Sequence, residues 1–283
     1  MNMPPFKYDF SQLEIKLPLP KSLLRPLGAL LLAVSVSACT VPTEQSRPTS
    51  DAGPASSSLR LAQATAKSGD HQTAARLFEN IVEEEPESVS ALLGLGDSYS
   101  RLGQQNRAAA VLNRAHELDN RNVEVLSVLG RVHLSQHQAE TALANYNKAL
   151  KIDRSNISAI TGKGVALDTL SRHAEAQEAY QSGLSQYPAN YVLRNNYALS
   201  LALSGQQTKS IAILQELVRD PVVAPHVRDN LAMVYGLAGR ENDARATLAL
   251  DLEASQIEEN MGIYRALRRM LGEGKKIGAL VYA

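Results

Sequence analysis

Val123-Glu-Val-Leu-Ser-Val-Leu-Gly130 is followed twelve residues later by Ala142-Leu-Ala-Asn-Tyr146, and the same trio of small residue, small residue and ring returns as Gly164, Ala176 and Tyr180. Working outward with residue 55 as position 1, a 34-residue period runs without a gap through starts at 89, 123, 157, 191 and 225. Position 8 holds Ala62, Gly96, Gly130, Gly164, Ala198 and Ala232. Position 20 holds Ala74, Ala108, Ala142, Ala176, Ser210 and Ala244, and position 24 holds Phe78, Leu112, Tyr146, Tyr180, Leu214 and Leu248. Position 15 is glycine in four copies (Gly69, Gly103, Gly205, Gly239), with His137 and Ser171 in the other two.

Two packed helices per period explain these choices. Small residues at 8 and 20 let paired backbones approach, and the bulky residue at 24 fills the space beside them. Glycine at 15 takes the left-handed conformation that ends a first helix. Pro86 and Pro188, both at position 32, stop a second helix. One helix pair cannot bury its apolar face alone, so the pairs are expected to stack into a solenoid.

The pattern resembles the tetratricopeptide repeat over about 200 residues, at 55–256. The resemblance implies an all-α superhelix of six helix-turn-helix repeats that binds other proteins. Departures from the pattern are local. Position 4 is Ser58, Arg194 and Arg228 in three copies, position 7 is Lys163 in the fourth, and Asp251 predicts an early end to the last second helix. Beyond the array, Ile257, Met261, Tyr264, Leu267 or Arg268, and Leu271 share a helical face, which predicts a C-terminal capping helix over 257–272. The apolar tail at 273–283 reads as a packed or frayed end in preference to a docking strand.

Residues 26–38 are a short apolar run behind Lys21 and Arg25, too short for a comfortable membrane span and suited to the core of a secretory signal. Val36-Ser37-Ala38-Cys39 resembles the bacterial lipobox, which implies cleavage before Cys39 and lipid attachment to it. The other readings are an ordinary signal peptide and a chance apolar run. Cys39 is the only cysteine, so no internal disulfide forms. The expected organisation is a lipoprotein signal peptide at 1–38 and a flexible tether at 39–54, in a stretch rich in Pro, Ser and Thr. Thr40 after the cysteine implies, by resemblance to bacterial sorting rules, the periplasmic face of the outer membrane.

Lys plus Arg and Asp plus Glu both number 29, which leaves no basic footprint for nucleic acid. Thr161-Gly162-Lys163-Gly164 lacks the earlier glycine of a phosphate loop and lies within a repeat helix. His133 and His137 have metal-ligand spacing but no third ligand nearby. No nucleophile–base pair has local support, so neither an enzyme, a cofactor nor a metal is expected.

In the tetratricopeptide family the first helices line a concave groove. The groove positions carried over are 2, 5, 6, 9, 12 and 13, and they include Asp97, Arg101, Arg131, Asp168, Asn195, Asn196, Asp229, Asn230 and Met233 as candidate partner-binding residues. Asn196 and Asn230 share position 6, where an amide suits either a peptide backbone or a solvated surface. The basic residues do not form the two-lysine clamp of chaperone-tail binders. Val227–Arg240, with Asp251-Leu252, Asn260-Met261 and Tyr264-Arg265, looks like the end of the TadD lipoproteins of the tight-adherence (Flp) pilus system, and Arg194–Ala202 is similar. That resemblance implies a pilotin-like factor whose partner is the outer-membrane secretin. A periplasmic scaffold for cell-envelope enzymes is the alternative.

Overall fold

A first helix that must turn back within three residues needs one left-handed residue, and all six repeats supply it at position 15. Gly69, Gly103, Gly205 and Gly239 have φ between 73° and 89°, and His137 and Ser171 adopt the same conformation at 59° and 62°. In the computed structural model, residues 54–282 are described. The expectations for the signal peptide, for Cys39 and for most of the tether lie outside them.

The described residues are helical, with no strand among them. Six pairs follow the repeat: α1 (Pro54–Lys67) with α2 (His71–Glu84), α3 (Val89–Arg101) with α4 (Gln105–Leu118), α5 (Val123–Ser135) with α6 (Ala139–Ile152), α7 (Ile157–Thr169) with α8 (His173–Gln186), α9 (Tyr191–Leu203) with α10 (Gln207–Leu217), and α11 (Ala224–Leu237) with α12 (Glu241–Leu248). Every second helix begins at position 17. From α2 to α12 each helix packs chiefly on its neighbours in sequence, and successive first helices from α3 to α11 also touch, as stacking requires.

The ring or leucine at position 24 joins the stack. A Cβ on Gly96 would strike Leu112, one on Gly130 would strike Tyr146, and one on Gly164 would strike Tyr180. The same residues reach the next pair: Phe78 lies against Gly94, and Tyr146 against Gly162. Gly162 and Gly164 therefore serve close helix contact inside α7, which is where the sequence put the supposed phosphate loop.

From the second repeat onward, the turns after the first helices close with a six-to-one hydrogen bond. The position-16 amide donates to the position-11 carbonyl, for example Gln138 N to His133 O at 2.8 Å and Arg172 N to Leu167 O at 2.8 Å. A left-handed residue with a side chain is strained by about 1–2 kcal/mol. At Ser171 the hydroxyl is also buried without a hydrogen-bond partner. Ser171→Gly should therefore raise stability by about 0.5–1 kcal/mol in urea unfolding, after the added freedom of the unfolded chain is subtracted.

One device was not anticipated from the sequence. Asn122, Asn156 and Asn190, all at position 34, cap the next first helix by accepting from the amides of Val125, Ala159 and Leu193 at 2.9–3.1 Å. Such caps contribute about 1 kcal/mol each.

At the far end α12 is only eight residues long and stops before Asp251. Then α13 (Ala254–Gly272) begins on a capping box made by Glu253 and Gln256, three residues ahead of the stretch read as a cap. It buries Met261, Tyr264 and Leu267, with Tyr264 seated against Gly236 of α11. It thus occupies the place a further first helix would take. The chain turns at Gly274 (φ 70°) and ends its described course in one short helical turn, α14 (Gly278–Val281), which packs on α7.

Candidate peptide-binding groove

The nine candidate residues lie on the first helices in three groups. On α3 and α5, the Asp97 carboxylate pairs with Arg131 and lies 3.8 Å from Arg101. All three side chains are a third to a half exposed, so the pairs contribute little to stability.

On α9 and α11, the Asn230 amide donates to Asn195 Oδ1 at 2.9 Å, which ties adjacent repeats together. Met233 is half-buried against the terminal apolar cluster. Asp229 is exposed, but the surrounding protein, then the charge of Asp251, push its carboxyl above the ordinary 3.8, with Arg228 opposing. The native state therefore holds that proton more tightly than the unfolded chain does. This carboxyl favours folding at acid pH, and the effect is lost as pH rises through its native value. A carbon-detected NMR titration should place its midpoint above 3.8, and Asp251→Asn should bring it part of the way back.

The third group departs from the expected open groove. Asp168 is fully buried. Its carboxylate accepts from Ser200 Oγ at 2.8 Å and from the Tyr282 hydroxyl at 3.0 Å, and it lies 2.7 Å from His173 Nδ1. Asn196 is half-buried, and its amide is spent on its own helix, donating to Val192 O at 3.0 Å. The Asn196 carbonyl instead lies 3.3 Å from the same Tyr282 hydroxyl. These two residues face the protein's own tail.

Asp, His and Ser meet here, yet Ser200 and His173 both engage the carboxylate. Ser200 makes no bond to the imidazole and donates to the carboxylate itself, so the three residues do not form a Ser–His–Asp relay. His133 Nδ1 lies 2.8 Å from Gln138 Oε1, and His137 sits in the turn, so the histidine pair does structural work. Among the described residues no group of three metal-ligating side chains converges.

Ser200, His173 and Tyr282 are partners that sequence reasoning missed. A signal for the cluster did exist. Asp168 is the lone acid at position 12, where the other repeats have Ala66, Ser100, Leu134, Ala202 and Gly236.

Family models for the tetratricopeptide repeat match residues 66–132, 123–156 and 161–222. A solved tetratricopeptide repeat protein from Parabacteroides merdae is 14% identical, covering 75% of this chain and 86% of its own, with a TM-score of 0.61. A thermophilic tetratricopeptide repeat protein of Thermus thermophilus is 18% identical, covering 64% of this chain and 98% of its own, with a TM-score of 0.57. At these identities the likeness is one of fold. No curated protein matches the chain.

Proposed function

We propose, from the premise that this chain is a tetratricopeptide-repeat protein, that the inner face of its first helices docks a segment of a protein partner of the cell envelope. Repeats of this family are interaction scaffolds and typically carry no catalytic site. The observation that carries the reading is the polar lining at two repeat junctions, Asp97–Arg131 at one and Asn195–Asn230 at the other. Such side chains donate and accept along an extended backbone, and a rigid stack presents them without a large ordering cost.

The finer reading is an outer-membrane lipoprotein that assists pilus assembly, with the secretin as partner. It is supported by the lipobox-like Val36–Cys39 and by the TadD-like run Val227–Arg240. Tethering by several acyl chains, each methylene contributing about 0.8 kcal/mol, confines the binder beside its client and raises its effective concentration. Cell fractionation of Cys39→Ser tests the anchor. Release from the membrane is the expected result, and firm retention would sink it. Co-purification of Asn195→Ala/Asn230→Ala beside the unsubstituted protein tests the groove, with loss of the secretin as the expected result. Recovery of cell-wall enzymes in the secretin's place would favour a general scaffold, and unchanged recovery with the double variant would refute the groove.

A further inference from the structure

Residues 277–282 depend on the groove for their structure. A single four-residue turn of helix has no stability of its own in water. Three features hold it in place. Ile277 is 2% exposed within the terminal apolar cluster. Gly278 lies so close to α7 that a Cβ would fall on the Asp168 carbonyl. The Tyr282 hydroxyl meets both Asp168 Oδ2 and the Asn196 carbonyl. Ala279 and Leu280 are exposed, whereas Val281 packs half-buried on that apolar cluster, so the contacts select an Ile-Gly pair followed after two residues by Val-Tyr.

The receiving surface has the character of a built site. A buried carboxylate is costly unless donors surround it, and Asp168 supplies more acceptor capacity than the repeats themselves fill. Ser200 and His173 come from the array, whereas the third partner, Tyr282, comes from a segment 114 residues away in sequence. The Tyr180 hydroxyl, on a side chain with no exposure, is buried beside Tyr282 and Asp168 in the same cluster. The link to α13 is a short exposed stretch, 273–276, that turns at Gly274. Burial, then Tyr180 and the Asp168 charge, hold the Tyr282 phenol well above its ordinary range, so it remains a donor at any physiological pH.

We propose that the inner face of α7 and α9 is a recognition site for a short segment of the pattern Ile-Gly-x-x-Val-Tyr, filled in cis by residues 277–282, and that a partner bearing a tyrosine segment of this kind binds there by displacing it. The proposal rests on the reading of the inner face as the docking surface. It adds a ligand chemistry, a phenol donated to a buried carboxylate, and a competitor that raises the threshold for binding.

Fluorescence anisotropy with a labelled peptide copying residues 277–283 tests it on full-length protein. Gly278→Leu shuts out the protein's own tail and leaves the array untouched. This variant should bind the native peptide about tenfold or more tighter than the unsubstituted protein, whose tail competes at high effective concentration. Peptides carrying Tyr282→Phe or Gly278→Leu should bind that same variant several-fold more weakly. Because these changes lie in the peptide, misfolding cannot mimic them. Equal affinity for the variant and the unsubstituted protein, no binding to the variant, or indifference to the tyrosine would each overturn the proposal. Such a failure removes only the tail site. The Asn195–Asn230 surface stands or falls by the co-purification test.

Discussion

Tyr180→Ala lowers the unfolding free energy of the array by about 3–5 kcal/mol in urea denaturation. The ring is fully buried, and Gly164 leaves room for it where a methyl group would collide. Removing it opens a cavity between α7 and α8 that the close helix contact cannot collapse to fill. Because stability in a stacked array is passed between neighbours, a void in the fourth repeat weakens both halves. Tyr180→Phe separates packing from polarity. The hydroxyl lies beside Tyr282 and Asp168 in the buried cluster, so its loss should cost no more than about 1.5 kcal/mol, well below the loss of the ring. A large loss with Phe would mean that the hydroxyl, and not the ring, holds the junction.

Asp168→Ala should cost a comparable amount, about 3–5 kcal/mol, for a different reason. The carboxylate is the shared acceptor for Ser200, His173 and Tyr282, and alanine leaves these donors facing an apolar gap. Asp168→Asn keeps one acceptor but presents an NH₂ group to donors, so a smaller loss is expected. Hydrogen exchange adds a readout that packing alone does not supply. With either substitution the amides of 280–282 should exchange faster, while those of α3 and α5 keep their protection.

What the sequence disclosed follows from how local each determinant is. The 34-residue register, the small residues at 8 and 20, and the left-handed position 15 are set within a single helix pair. Even His137 and Ser171, which lack the glycine, take the conformation that their place in the turn demands. Asp97, Arg101 and Arg131 meet across one junction, as their shared groove positions imply. Asp168 and Asn196 could not be read in this way. Their positions assign them to an open groove, and the segment that covers them lies far along the chain, in a tail whose composition points to no single fate. The position-34 asparagines were legible in principle. They precede three successive first helices, α5, α7 and α9, at a 34-residue spacing, and an Asn just ahead of an apolar-periodic run is a helix-start signal.

The most direct measurement of the central claim is site-specific photo-crosslinking of the full-length protein in its native cells. A photoreactive residue is placed in turn at Arg101 and Met233 on the inner face, and at the exposed Glu117 and Lys148 on second helices. Discrete adducts with one protein partner from the inner positions, and none from Glu117 or Lys148, are the predicted result. Adducts confined to the second helices, or the same band from both sets, would contradict an account in which the first helices form the binding surface.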